Sequence, residues 1–194
     1  FSKIMSNENC RGAVCLLNET GLDRFALGVK MEGENLPADT EEIRLVVNDF
    51  SWLVILLAVI SKSDLLRTLK RMRLRRADHK FCLRVASNSK TEVFQELSGS
   101  QWQQSAFFMQ GYAAATYASM AWRLGHAFNP DHYQRIHQWR PPKFPLSGTD
   151  LLSHGVDNGP ALGHLLDVAQ RRWVRSNFSI SKSVLLDGIL QQQM

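Results

Sequence analysis

An all-α fold is the architecture this sequence predicts, and three observations carry the prediction. Proline, whose ring and missing N–H exclude it from helix interiors, stands only at Pro37, Pro130, Pro141, Pro142, Pro145 and Pro160, leaving long windows open to helices. Between 100 and 126, Trp102, Ala106, Met109, Ala113, Tyr117, Met120 and Leu124 recur at steps of three and four and so share one helical face. Alternating apolar and polar runs of strand length are scarce. The 194 residues are 44% hydrophobic, enough for a packed core and too much for a disordered tail.

Taken in chain order, Phe1-Ser2-Lys3-Ile4-Met5 reads as the interior of an amphipathic helix with no initiator Met before it, so the chain is expected to be a piece of a longer one. Thr40 before Glu41 and Glu42 predicts an N-cap with an acidic first turn. The helix it opens could run through Ile60; a strand over 52–60 competes, because Val and Ile are frequent there. Ser63 is the expected cap of a helix with Leu65, Leu66, Leu69 and Met72 on one side, 77–85 a further short helix, and Ser89 with Glu92 a capping box. A second box, Ser100 with Gln103, opens the 100–126 helix, which His126, Asn129 and Pro130 close.

Three prolines in five residues at 141–145 predict a stiff connector between a helical region, 1–140, and a smaller helical tail unit, 141–194. In the tail, Gly148 precedes Thr149 as an expected N-cap, and a glycine-rich turn over 155–163 joins two short helices with Pro160 at a first helical position. The most apolar stretch, 50–60, falls short of the roughly 18 residues that span a bilayer, and no basic-then-apolar leader opens the chain. Cys10, Cys15 and Cys82 are odd in number and lack paired spacing. These features predict a chain of the reducing cytoplasm, without membrane contact or metal staple.

The formal charge is +5, but its distribution says more than its sum. Residues 1–62 are net −3, residues 63–140 net +7 and residues 141–194 net +1. The positive charge peaks at Arg67, Lys70, Arg71, Arg73, Arg75, Arg76, Lys80 and Arg84, on the side away from the leucines. Phosphate backbones are the common partner of such a band, since each neutralised phosphate releases condensed counterions. The alternative is a solvated helix face with some arginines bridged to the acidic N-terminal region.

Motifs for catalysis are mostly missing. No Asp-x-Asp pair, G-x-x-x-x-G-K loop or G-x-S-x-G turn occurs, and Glu32 and Glu34 around Gly33 read as a solvated loop. His79, His126, His132, His137, His154 and His164 have no recognised ligand spacing, so neither a catalytic nor a metal-binding residue is assigned. A helix N-terminus at Gly159, Ala161 and Leu162 offers N–H groups to a phosphate, with Arg171, Arg172 and Arg175 further along the same helix. There Gly163 either admits another backbone or allows tight packing of a core face made of Leu162, Leu165, Leu166, Ala169 and Trp173. Trp102, Phe107, Phe108, Tyr112 and Tyr117 read as packing residues, with base stacking as the alternative beside a basic band.

Three tail segments carry a resemblance: Phe144-Pro145-Leu146-Ser147-Gly148-Thr149-Asp150-Leu151-Leu152, Gly159-Pro160-Ala161-Leu162-Gly163-His164-Leu165-Leu166, and Trp173-Val174-Arg175-Ser176-Asn177-Phe178-Ser179. Together they resemble the C-terminal end of the bacterial tRNA nucleotidyltransferase and poly(A) polymerase family. The opening, Phe1 to Met5 and then Ala13-Val14-Cys15-Leu16-Leu17-Asn18-Glu19-Thr20-Gly21-Leu22, is similar to that family just after its neck signature, with Leu69-Lys70-Arg71-Met72-Arg73-Leu74 a looser match between. The resemblance implies an enzyme that restores the CCA end of tRNA or adds adenylates. Its head would hold Mg²⁺ on a carboxylate pair, and its neck would select CTP or ATP through Glu-Asp-x-x-Arg. Neither motif occurs in this sequence. The resemblance therefore implies the remainder of the neck, the body and the tail, inactive alone, holding the tRNA acceptor arm for the head of the same parent chain, with no cofactor of its own.

The reading is a tRNA-binding helical region with Arg71, Arg73, Arg75 and Arg76 as phosphate contacts and Arg171, Arg172 and Arg175 as their tail counterpart. The alternative is a helical interaction or homodimerisation module presenting the Trp102–Leu124 face.

Overall fold

The computed structural model describes residues 2–7, 9–38, 40–87 and 101–191, and among these it is all-α, with no strand. The helices are α1 (Ser2–Met5), α2 (Cys10–Glu19), α3 (Leu22–Leu27), α4 (Thr40–Asp49), α5 (Leu53–Val59), α6 (Lys62–Arg71) and α7 (Arg76–Ser87). They continue as α8 (Gln101–Met109), α9 (Ala113–Arg123), α10 (Pro130–Gln138), α11 (Gly148–Leu152), α12 (Pro160–Arg175) and α13 (Lys182–Leu190). The expected caps at Ser89 with Glu92 and at Ser100 lie outside the described residues. No described helix is long and apolar enough to cross a membrane.

The chain divides into two compact units, Phe1–Glu96 with Met109–Trp139 and Leu97–Phe108 with Arg140–Met194. At the centre of the first stands α5, each of whose residues is at most 3% exposed. A helix apolar on every side is a core helix, which settles the competition between helix and strand over 53–59. It packs chiefly on α9, whose residues Ala113–Trp122 are all buried and whose many alanines permit close approach. The C-terminal carbonyls of α5, which lack intrahelical donors, are satisfied from outside. Leu57 O accepts from Arg123 Nε at 3.0 Å and from Nη2, while Val59 O accepts from Glu32 N–H at 2.7 Å.

Several expected boundaries are corrected. The helix from Thr40 does not reach Ile60: α4 stops at Asp49, and the Ser51 hydroxyl accepts from Leu53 N–H at 3.4 Å to start α5 afresh. Asp49 turns instead to Tyr133, whose hydroxyl donates to its carboxylate at 2.8 Å. The cap of α6 is Ser61, not Ser63; the Ser61 oxygen accepts from Asp64 N–H at 3.2 Å. Leu65 and Leu69 are buried there but Leu66 is not. The 100–126 helix is interrupted at Gln110–Tyr112, where Gln110 adopts φ +54. Its predicted face is nonetheless buried from Trp102 through Met120, with only Leu124 exposed, so the chain itself covers the surface a partner helix would have used. Helix α9 ends on Gly125 at φ +64, with His126 N–H donating to Ala121 O at 2.9 Å. Asn129 and Pro130 open α10 rather than closing α9, for the Asn129 side chain accepts from His132 N–H at 2.9 Å and Pro130 is a first helical residue.

The second unit buries Leu146, Leu151, Val156, Ala169, Trp173, Val174, Leu185 and Ile189, with Leu162, Leu165 and Leu166 packed against them. Phe107 of α8 joins this core edge-on to Trp173 at 5.7 Å. The cap of α11 is Ser147 rather than Thr149: its N–H and hydroxyl both donate to Asp150 Oδ2, at 2.9 and 2.7 Å. Lys182 of α13 holds the other oxygen of that carboxylate at 2.7 Å. Lys182, then Ser147, push the Asp150 carboxyl down to about 2.

Candidate nucleic-acid interface

Helix α6 turns Leu65, Thr68 and Leu69 inward, which leaves Arg67, Lys70 and Arg71 in solvent at its outer side. After four intervening residues α7 begins, and Arg73, Arg75, Arg76, Lys80 and Arg84 are exposed as well. Arg73 sits in the connecting turn at φ +46. Arg75 O accepts the first helical bond, from His79 N–H at 2.9 Å. Two arginines at a helix N-terminus oppose the positive end of the helix dipole, and only Asp78 in the first turn offsets them. They do not serve the helix; an anion placed there would meet both the side chains and the first-turn N–H groups.

The predicted cluster is not uniform. Arg71 Nη2 donates to Phe25 O at 3.3 Å, in the last turn of α3, and its guanidinium occupies the space over Gly28 where a Cβ would collide with it. Gly28 stands at φ +77, a conformation that also favours glycine. Arg71 is thus partly a structural clasp. Arg67 meets Asp64 at 3.7 Å, an exposed pair of small worth. Among the described residues no carboxylate pairs with Arg73, Arg75, Arg76, Lys80 or Arg84, so bridges to the acidic N-terminal region do not account for them.

In the tail the three arginines serve different ends. Arg171 Nε is 2.8 Å from Asp167 Oδ2, which holds the guanidinium more firmly protonated, and it lies 5.8 Å above the Phe108 ring. Arg172 lays its guanidinium over Gly188 of α13. Arg175 is exposed with no ion-pair partner among the described residues. The helix N-terminus at Gly159 offers less than its three residues promised, because Leu162 N–H donates to Gly159 O at 3.1 Å and Pro160 has no N–H, leaving those of Gly159 and Ala161. Gly159 is extended, at φ 167, and a Cβ on Gly159 or Gly163 would meet nothing within 4 Å. Neither an unusual backbone nor close packing explains these two glycines. The core face predicted on the same helix does form.

Among the described residues no group of three or more His, Cys, Asp or Glu is gathered to hold a metal ion. Cys10 and Cys82 are buried, and burial raises their thiols to about 11 and about 12, beyond nucleophilic use at neutral pH. The sequence did not single out Phe25, which is 82% exposed beside Arg71. A six-residue helix is too short for periodicity to phase its faces.

Fold and surface together define an all-α protein with a cation-rich helix junction. No family profile matches the chain. Over 56 residues, 29% of its length, it is 34% identical to CCA tRNA nucleotidyltransferase 1, mitochondrial, of Mus musculus and of Homo sapiens. The protein of that name in Danio rerio matches to the same extent. The matched part spans 13% of each relative.

Proposed function

We propose that this chain is a tRNA-holding region of a nucleotidyltransferase of the CCA-adding type. The observation that carries the reading is the α6–α7 junction, where exposed arginines gather at a helix N-terminus with no carboxylate partner among the described residues. The 34% identity to CCA tRNA nucleotidyltransferases supports tRNA as the polyanion. Arg73, Arg75 and Arg76 take backbone phosphates; Arg71 contributes from its clasp on α3, and Arg175 is the arginine best disposed in the tail. Binding energy from parts of the tRNA remote from its 3′ end fixes the acceptor arm, so that the terminal hydroxyl is presented in one orientation. Mg²⁺ and CTP or ATP would be held by the catalytic head of the parent protein, where the transfer step takes place.

The test is charge reversal at Arg73→Glu, Arg75→Glu and Arg76→Glu together, read as affinity for a tRNA acceptor minihelix. A loss of at least about tenfold at moderate salt is expected from three phosphate contacts. Unchanged affinity overturns the reading.

A further inference from the structure

Phe25 is the most exposed large apolar side chain among the described residues, at 82%, and its backbone meets Arg71 of the basic band. A lone exposed phenylalanine is ordinary on a protein surface. This one is held in an unusual way. Its own carbonyl accepts from Arg71 Nη2 at 3.3 Å, and the same guanidinium fills the space over Gly28 at the end of α3. The buried carboxylate of Asp23 accepts from Arg24 N–H at 2.6 Å and Met31 N–H at 2.8 Å, tying the short helix to the segment after it. The ring is therefore carried on a backbone fixed from both sides, with the guanidinium of Arg71 attached to its root and exposed Arg24 next to it in sequence.

A flat apolar face on a backbone that one held guanidinium clasps matches the two parts of an unpaired nucleotide: a base to stack and a phosphate to neutralise. A paired helix offers no free base face. Leu22 is the only other large exposed apolar residue on α3, which favours a single stacked ring over a broad apolar docking surface. We propose that Phe25 is a stacking platform for an unpaired base of the bound RNA, whose flanking phosphates lie along Arg71 to Arg76. This inference rests on the RNA-holding function proposed above and adds to it a preference for single-stranded segments.

The experiment compares two RNAs with equal numbers of phosphates, a blunt hairpin and a hairpin with a short single-stranded end, against the chain and its Phe25→Ala, Phe25→Leu and Phe25→Tyr variants. Because the ring is exposed, thermal melting is expected to be the same for all four proteins. Phe25→Ala and Phe25→Leu are expected to weaken binding of the single-stranded end about 5- to 100-fold while changing the blunt hairpin less than about twofold, and Phe25→Tyr to keep both. Equal losses on the two RNAs, no loss on either, or full retention by Phe25→Leu overturns the platform and leaves the basic band standing. Failure of the unaltered chain to bind either RNA overturns the band itself and the platform with it.

Discussion

Arg71 shows how one residue can be exposed and yet occupied. Its guanidinium neutralises carbonyl charge at the end of α3 and sits where only a glycine leaves room, so Gly28 and Arg71 form a unit. Gly28→Ala is expected to cost about 1–2 kcal/mol for the left-handed backbone alone, and more because Arg71 must move. In an Arg71→Ala background only the backbone part remains. A double-mutant cycle followed by thermal melting reads the difference as a coupling energy, and strict additivity would show that the two do not interact. Asp150 gives the corresponding statement for pH. Its carboxyl, pushed from 3.8 to about 2 by Lys182 and Ser147, contributes stability that is full above the ordinary carboxylate value and is lost as pH falls through the folded value. Titration of Asp150 by carboxyl NMR is expected to show a midpoint well below that of a free aspartate, and Lys182→Met to move it upward. An unshifted midpoint would deny the pair.

At the scale of elements, the least legible helices are the most buried ones. Helix α5 is apolar on every side, so no amphipathic period marks its limits, and the break after Asp49 depends on a serine hydroxyl and on Tyr133 far along the chain. The interruption at Gln110 is similarly invisible, because the helical spacing of apolar residues continues across it. Helices α6 and α7 were easier: their serine, leucines and arginines alternate at helical spacing, although the cap fell two residues earlier than expected. The packing of α5 on α9 yields its own prediction. Arg123 is half-buried and donates twice to Leu57 O, at the cost of a charge whose protonation burial disfavours. Arg123→Met would leave that carbonyl without its donor, and a destabilisation of about 1–3 kcal/mol in chemical denaturation is expected. A neutral outcome would mean that a carbonyl at the end of α5 finds water instead.

For the whole molecule, an all-α composition and the concentration of charge between 63 and 140 were both readable from the residues, since proline placement and local charge are properties of the chain itself. Which arginines remain unpaired was not. Asp167 lies four residues before Arg171 and gives a sequence-level sign of that pair, but nothing local announces Phe25 O under Arg71 or Gly188 under Arg172. The inclusion of Leu97–Phe108 in the second unit depends in the same way on a distant contact, Phe107 against Trp173. The proposed binding of tRNA phosphates at the α6–α7 junction makes affinity depend on salt. A plot of log affinity for an acceptor minihelix against log salt concentration is expected to fall with a slope of about −2 to −3 or steeper. The triple glutamate variant at Arg73, Arg75 and Arg76 is expected to lose most of that slope. A flat plot for the unaltered chain, or an undiminished slope in the variant, would show that the junction does not bind those phosphates.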